Sequence, residues 1–249
     1  MKVFSLFTFA SAAAAAAAGI PILDGLLPHR TPTTRIAGVE VIDTQIVRDA
    51  QALIKKFPDY LYSHQMRSWL FGAAMINANA TLKRSIDLEV HAIATMLHDL
   101  GWDMTPNSRW VSKDKRFEVD GAIGARTWLS EHPVGRHWSA DRVRKVFQSI
   151  SLHGSGSIVD YFELEEVTIV QSIGQDYHGP VNGVSQSSYD RIAKQFPQTE
   201  LLTGTNKTFV WLAQTKPATT YDTWLQPWGD AFVSGYSAVG RRAFDSITA

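Results

Sequence analysis

Apolar residues recur at helical spacing along most of the chain. In the segment 43–57 they fall on one helix face: Ile46, Ala50, Leu53, Ile54 and Phe57. Pro58 ends this segment. Similar patterns predict helices over residues 59–80, 85–101, 116–132, 139–154, 160–179 and 187–197, and one or two more after Thr203. Because no run of alternating apolar residues indicates a sheet, we predict a single all-α domain over residues 43–249.

The beginning of the chain follows a different pattern. Lys2 precedes an apolar stretch and a run of alanines, with small-residue cleavage options near residues 16–19. This is the form of a secretory signal peptide. The alternative is a buried or membrane-anchoring helix, but polyalanine is only weakly hydrophobic for a membrane span. We therefore expect a signal peptide over residues 1–19, an extended arm over 20–42 and a secreted protein without membrane contact once the leader is removed.

Composition narrows the classes of function. Lys and Arg together number 24, as do Asp and Glu, and this balance argues against a nucleic-acid binder. A small-molecule partner is expected instead, and a homo-oligomer is left open. The chain has no cysteine, so any metal must be held by His, Asp and Glu. N-glycosylation sequons at Asn79 and Asn206 suit the secretory pathway.

The stretch "EVHAIATMLHDLGWD" ends an apolar helix in a His-Asp pair. Burying an ionised carboxylate beside an imidazole costs several kcal/mol unless a metal or a salt bridge compensates the charge. Adjacent helical residues point about 100° apart, so His98 and Asp99 can reach one ion only at a helix end. Gly101 supplies that end.

Three other residues of the same chemistry are predicted to point into the helical core. His64 lies near the start of the helix predicted over residues 59–80. His153 follows Ile150 by three residues, on the apolar face. Asp176 has the same relation to Ile173. These side chains could meet in one place with His98 and Asp99.

The order of these residues resembles that of the HD-domain metallohydrolase superfamily, and it is most similar to the fungal cyanamide-hydratase-like branch. The resemblance rests on the segments "SHQMRSWLFG", "ATMLHDLGW", "RFEVDGA", "ISLHGSGSI" and "QSIGQDYHGP". It implies an HD-domain helical bundle that binds one divalent metal ion. Zinc or iron is the expected metal, and manganese is also compatible with these ligands. The implied metal ligands are His64, His98, Asp99 and Asp176.

Each member of this set also has a purely structural interpretation. The His98–Asp99 pair could form a salt bridge at a helix end, and Asp176 could be an ordinary helix-terminal carboxylate. His153 could contact substrate, bind a second metal or be a core histidine. Glu118 could orient a ligand or the metal-bound water, or be a first-turn Glu favoured by the helix dipole. Arg67 could bind an anionic substrate, but pairing with Asp99 or Asp176 is favoured.

The remaining histidines carry weaker signals. His91 lies two turns before His98 on the same face, too far for joint ligation, and is predicted to be a hydrogen-bonded core residue. His178 is a weak candidate for lining a pocket. His29, His132 and His137 are predicted to be exposed.

The resemblance implies an enzyme that adds metal-activated water to a small molecule, with Asp99, Glu118 or His153 moving the proton. A nitrile or cyanamide-like substrate is favoured, and it would need an aromatic-lined cavity. Candidates for its lining, or for plain core packing, are Trp69, Phe71, Trp102, Trp110, Trp224 and Trp228. The alternative is a phosphohydrolase, which needs cations. The candidate cations are Arg67, Lys113, Lys115 and Arg116.

Two further alternatives stay open. A di-iron oxygenase would need more inward histidines than His153, and His132 and His137 fall in a predicted loop. The second alternative is a secreted protein whose metal is structural and which catalyses no reaction. A closed ligand cage would favour that last alternative, and an open coordination position would favour catalysis.

Overall fold

The computed structural model describes residues 31–248. Within them 65% of the residues are helical and 4% lie in strands, which agrees with the predicted all-α class. The predicted signal peptide and residues 20–30 of the predicted arm lie outside the described residues.

The rest of the predicted arm forms a β-hairpin, so the expectation of a chain without strands is wrong here. Strand β1 (Thr33–Ile36) pairs antiparallel with β2 (Val39–Ile42), and Thr33 faces Ile42. Both turn residues, Ala37 and Gly38, have positive φ angles of 50° and 78°, as in the two-residue turns that match the twist of a hairpin. Two four-residue strands rich in β-branched residues are too short to show a clear alternating pattern.

Eleven helices follow the hairpin within residues 31–248. They are α1 (Gln45–Ile54), α2 (Asp59–Ala78), α3 (Ala80–Ser85), α4 (Leu88–Leu97), α5 (Phe117–Glu131), α6 (Ala140–Leu152), α7 (Leu164–His178), α8 (Gln186–Gln195), α9 (Leu201–Thr215), α10 (Gln226–Phe232) and α11 (Ala243–Thr248). The helix predicted over residues 59–80 is divided, because Asn79 ends α2 and its side chain accepts hydrogen bonds from the first amides of α3.

Helix α4 lies at the centre of the bundle. All of its residues from Val90 to Leu97 are buried, since α1, α2, α6 and α7 pack around it. A helix that is apolar on every side is expected only at such a position. The central core therefore carries the end of α4, and with it the His-Asp pair, into the interior.

A second, smaller cluster of buried residues adjoins this core. It is rich in aromatic side chains and consists of Leu61, Trp102, Phe117, Phe209, Leu212 and Leu225, with Trp228 packed against it. These residues come from α2, the turn after α4, α5, α9 and the segment before α10. We call this group the aromatic cluster. It brings the C-terminal third of the chain against the region of Asp99.

Two sequence motifs can be placed in this fold. The sequon residue Asn79 is exposed at the α2–α3 junction, whereas Asn206 lies inside α9 and accepts a hydrogen bond from the Trp228 indole at 2.8 Å. Sequons that are used are expected in surface loops, so Asn79 has the more suitable position. Among residues 31–248, none of the helices combines the length and apolar character needed to span a bilayer.

Candidate metal centre

The ends of two helices and one helical turn bring four titratable side chains together. His98 is the residue at which α4 ends, and Asp99 leaves the helix with φ −104° and ψ 28°. His153 ends α6 in the same way, and His64 lies in the second turn of α2. The predicted helix end at the His-Asp pair is confirmed, and it lets both side chains face the same space.

The Nε2 atoms of three histidines converge on the Asp99 carboxylate. His98 Nε2 lies 3.0 Å and His64 Nε2 lies 3.4 Å from Oδ2, while His153 Nε2 lies 3.6 Å from Oδ1. The Nε2 atoms of His64 and His98 are 3.1 Å apart. We call His64, His98, Asp99 and His153 the histidine–aspartate group.

The other ring nitrogen of each histidine faces an acceptor. His98 Nδ1 donates to the Thr95 carbonyl at 2.8 Å, and His153 Nδ1 donates to the Ile150 carbonyl at 2.6 Å. His64 Nδ1 faces an oxygen of Asp176 at 2.7 Å. This pattern places a proton on each Nδ1, so Nε2 is the nitrogen through which each ring could bind a metal, as in ligating histidines.

Asp99 is buried and, among residues 31–248, neither of its oxygens has a hydrogen-bond partner. Burial alone would raise the pKa of this carboxyl, but the field of His98 and the close imidazoles of His153 and His64 hold it well below its usual range. The carboxylate is therefore ionised. A buried anion without hydrogen bonds is costly unless a cation lies beside it.

This donor set fits a divalent metal. His64, His98 and Asp99 offer ligand atoms that all lie within 4.8 Å of one another. Imidazole nitrogens with a carboxylate suit zinc, iron and manganese. Burial and the Asp99 charge act oppositely on His98, and burial prevails and lowers its pKa. His98 is thus already in the neutral form that binds metal.

Asp176, the fourth ligand implied by the resemblance, lies outside this group. It approaches His64 from the Nδ1 side, away from Asp99. Both of its oxygens are occupied, since Arg67 donates to each at 2.7 Å and Gln198 donates to Oδ1 at 2.7 Å. Burial by itself raises the pKa of Asp176, but the hydrogen bonds and charges of His64 and Arg67 outweigh it and lower that pKa to about 2. In this structure Asp176 contacts His64, and His153 is the third imidazole beside Asp99.

Arg67 has the favoured structural role. Its side chain is fully buried, and besides Asp176 it donates to the carbonyls of Phe196 and Pro197 at 3.0 and 2.7 Å. These bonds tie α2 to α7 and to the segment after α8. An anionic substrate could reach Arg67 only if they broke.

Glu118 lies in the first turn of α5, where the helix dipole favours a negative charge, as one of its two interpretations predicted. It is 1% exposed. Arg116 Nη2 donates to Oε1 at 2.5 Å, and the Trp224 indole donates to the same oxygen at 3.1 Å. The carboxylate thus lies next to the histidine–aspartate group, against Gly154, without a hydrogen bond to any of the three imidazoles within the described residues.

Aromatic rings line one side of the group. Trp102 stacks on the His64 ring with centroids 5.9 Å apart, and Phe117 meets the His153 ring edge-on at 5.4 Å. Trp224 extends this wall through Phe117 at 6.0 Å. In the part of the chain that the structure describes, the Trp102 indole nitrogen is buried and has no hydrogen-bond partner. Trp102 and Phe117 belong to the aromatic cluster, and Trp224 packs beside it.

The other predicted lining residues are packing residues. Trp69 and Phe71 belong to the central core, and Phe71 stacks on Tyr189 at 4.5 Å. Trp110 lies under the Arg109 guanidinium. The plain packing interpretation therefore holds for these three.

Among the histidines outside the group that the structure describes, His91 and His137 follow the predictions. His91 is buried and lies 3.1 Å from the Ser172 hydroxyl, as predicted, and His137 and His178 are exposed. The predicted exposure of His132 is wrong. Its Nδ1 accepts two backbone amides and its Nε2 donates to Asp49 at 2.9 Å, which buries the ring at the end of α5. His29 lies outside the described residues.

The candidate phosphate-binding cations are either neutralised or exposed. Arg116 is paired with Glu118, Lys115 with Asp114 at 2.8 Å, and Arg67 with Asp176. Lys113 is exposed on the loop before α5. Each of the three paired cations already has a carboxylate partner.

Two residues next to the group were missed by the sequence reasoning. Gln198 follows Pro197 in a loop and bonds Asp176, a contact for which local sequence gives no signal. Tyr177 meets the His64 ring edge-on at 5.4 Å and its hydroxyl lies 3.1 Å from that of Thr205. The only signal in the sequence that points to Tyr177 is its position directly after Asp176.

No protein-family model matches the chain, and no curated protein matches it either.

Proposed function

We propose that the chain is an HD-domain-like, metal-dependent enzyme that adds water to a small uncharged molecule, with a nitrile or cyanamide-like compound as the substrate class. The observation that carries this proposal is the convergence of three imidazole Nε2 atoms on one buried carboxylate without hydrogen bonds of its own. His64, His98, Asp99 and His153 would hold the metal.

A bound metal would supply a water of lowered pKa and a Lewis acid. The residues around it would do the rest. Asp176 holds the His64 ring in one orientation and tautomer. The rings of Trp102 and Phe117 exclude bulk water from one side. The low pKa of Asp99 keeps its carboxylate anionic, as a metal ligand requires.

Hydration of a nitrile uses the atoms of one water molecule. The oxygen bonds to the nitrile carbon, both carbon–nitrogen π bonds break, a carbon–oxygen π bond forms, and both water protons end on nitrogen, giving an amide. The reaction creates no leaving group and no lasting charge, so an aromatic wall is a suitable environment.

The neutralised cations favour this substrate class over a phosphoester. A phosphohydrolase stabilises its charged substrate with several free cations. Here Arg67, Lys115 and Arg116 each have a carboxylate partner. A phosphoester would have to compete with those carboxylates.

A second candidate function is a structural metal without catalysis. The observation that favours it is burial, because His64, His98 and Asp99 are each at most 1% exposed. Three imidazoles and a carboxylate can also complete a tetrahedral cage, as in structural zinc sites.

Elemental analysis tests the proposal. We expect about one metal per chain in the purified protein, and its loss in His64→Ala and in His153→Ala. His137→Ala, which changes an exposed histidine, is the matched control and should keep the metal. A wild-type chain without metal would overturn the proposal.

A substrate screen separates the two candidates. Cyanamide, small nitriles and phosphate monoesters are offered to the metal-loaded protein and to His153→Ala. Turnover of nitriles alone supports the hydratase. Turnover of phosphoesters overturns the proposed substrate class, and a bound metal with no turnover of any of them supports the structural metal.

A further inference from the structure

The histidine–aspartate group is buried, and its members differ in how closely they approach the surface. The side chains of His64, His98 and Asp99 are each 1% exposed, whereas that of His153 is 7% exposed. A ligand that enters the group from solvent therefore has its shortest path beside His153.

The chain directly after His153 is covered by a small polar arrangement. Gly154 packs so closely that a Cβ atom there would lie 2.5 Å from Glu118 Oε1 and 2.6 Å from the Trp224 indole nitrogen. Only glycine leaves room for both. Glu118 and Trp224 thus lie directly over the backbone that carries His153.

The two partners that fix the Glu118 carboxylate are themselves at the surface. Arg116 is 37% exposed in its side chain and Trp224 is 39% exposed. Arg116 donates to both carboxylate oxygens, at 2.5 and 3.3 Å, and Trp224 donates to Oε1 at 3.1 Å. Arg116 can therefore rotate into solvent without unpacking the core, and Trp224 can turn outward by leaving its edge contacts with Phe117 and Phe209.

We propose that Arg116, Glu118 and Trp224 form a cover over the His153 side of the metal centre, and that its opening admits metal and small-molecule substrate. We call these three residues the cover. The inference rests on the proposed function and extends it by naming the entrance. It also reconciles a buried ligand set with catalysis, which requires access.

The cover selects its ligands by chemistry as well as by size. When Arg116 and Trp224 turn away, the Glu118 carboxylate faces the entrance and is left without those donors. A small molecule with N–H donors, such as cyanamide or an amide product, could replace them at that carboxylate. A phosphoester would meet an anion there, and like charges repel. Glu118 therefore acts as a specificity-determining residue at the entrance.

The test measures metal uptake rather than turnover. Metal-free protein is mixed with Co²⁺, and binding is followed by the visible absorption of the cobalt centre. If the cover must open first, the uptake rate of the wild type levels off as Co²⁺ is raised, because opening becomes rate-limiting. Arg116→Gln and Trp224→Ala should take up Co²⁺ at least about tenfold faster, without the plateau.

The matched control is a second arginine–glutamate–tryptophan arrangement, whose glutamate lies at the other end of α5. Arg109 donates to Glu131 at 2.7 Å and lies over the Trp110 ring at 4.6 Å, and Glu131 is about 20 Å along α5 from Glu118. Arg109→Gln and Trp110→Phe should leave the uptake rate within about twofold of the wild type. Thermal unfolding of every variant identifies any that fail to fold.

A competing entrance is also tested. Tyr177 is 39% exposed and its ring meets the His64 ring edge-on. If Tyr177→Ala accelerates uptake and the cover variants do not, the entrance lies on the His64 side and the proposal is overturned. Equal rates in all variants would overturn it as well.

A metal-free measurement separates this proposal from the proposed function. Diethylpyrocarbonate modifies accessible imidazoles, and peptide mapping gives the rate at His153. We expect faster modification in Arg116→Gln and Trp224→Ala than in the Arg109→Gln control. If the protein binds no metal, the proposed function fails, yet this rate still decides whether a cover exists. An unchanged rate at His153 would overturn the cover alone.

Discussion

At the scale of single residues, the role of Asp176 decides how a metal would be held. The resemblance implied a metal ligand, whereas the structure places Asp176 behind His64, on the Nδ1 side. The two roles have different consequences. A ligand contributes a bond to the ion, while a supporting carboxylate orients a histidine and raises its basicity.

Asp176→Asn and His153→Ala distinguish these roles. In Asp176→Asn the supporting hydrogen bond is weakened, so we expect one metal per chain to be retained with affinity about 10- to 100-fold lower. In His153→Ala a ligand is lost, and we expect metal to be absent after dialysis against buffer without metal. Metal titration of both variants measures the difference. The reverse pattern would mean that Asp176 binds the metal directly.

At the scale of helices, glycines set how closely α2 can approach its neighbours. Gly72 lies where a Cβ atom would collide with the His91 ring and the Ser172 hydroxyl. This close approach fixes the positions of α4 and α7 relative to α2, and those three helices carry His98, Asp176 and His64.

Gly72→Ala should destabilise the protein by about 1–3 kcal/mol, because the added methyl group overpacks the core and separates His91 from Ser172. Gly174→Ala is the control on α7, where a Cβ atom would meet only His178 at 3.7 Å. There we expect a gain of about 0.5–1 kcal/mol, because alanine is the better helix former. Chemical denaturation of both variants measures these changes, and a neutral Gly72→Ala would contradict the tight crossing.

The first turn of α7 contains two adjacent glutamates in different environments. Glu165 is paired with Lys145 at 2.5 Å and accepts the Asp87 amide at 3.0 Å. Glu166 is 1% exposed, and within residues 31–248 its oxygens have no hydrogen-bond partner. Burial, with a smaller contribution from the Glu165 charge, raises the pKa of Glu166.

The raised pKa makes a prediction about pH. A carboxyl with a higher pKa in the folded state favours folding when protonated, so its charge destabilises the protein as pH rises through that pKa. Glu166→Gln should therefore stabilise the protein at neutral pH by about 1 kcal/mol, and this gain should shrink as pH falls and the wild-type carboxyl protonates. Glu165→Gln, which loses an ion pair, should destabilise. Unfolding curves at several pH values would refute the prediction if the Glu166→Gln gain grew in acid.

At the scale of the whole molecule, a buried ion pair joins the C-terminal third to the central bundle. Lys216, at the end of α9, lies 2.5 Å from Asp120 in α5, and both are at most 4% exposed. Lys216 also donates to the Lys115 carbonyl at 2.9 Å. The pair holds the aromatic cluster against the region of Asp99.

Lys216→Met should cost about 3–5 kcal/mol, because it leaves the Asp120 charge buried without a partner. The double variant Lys216→Met with Asp120→Asn should recover much of that loss, since no unpaired charge remains. Lys115→Met, which removes only an exposed pair with Asp114, is the control and should not change stability measurably. A double variant no more stable than Lys216→Met would contradict this account.

Local sequence determined the helical class and most helix positions, because apolar residues at a period of 3.6 and a few breakers such as Pro58 are sufficient for that. It also predicted that His98 and Asp99 stand at a helix end, although the helix ends at His98 and Gly101 lies in the turn that follows. The hairpin was missed because its strands are only four residues long. The spacing of apolar residues along each helix also predicted the residue types of the candidate metal centre. It likewise predicted that His91 and His153 lie on the apolar faces of their helices.

Only the tertiary structure decided which of these side chains meet. His153 rather than Asp176 faces Asp99, because α6 ends beside α4, while Arg67 and Gln198 hold Asp176 on the far side of His64. The burial of His132 depends on Asp49, 83 residues away in the chain. The cover depends on Trp224, 106 residues after Glu118. Such contacts arise from how helices pack, and the spacing of residues along one helix does not contain that information.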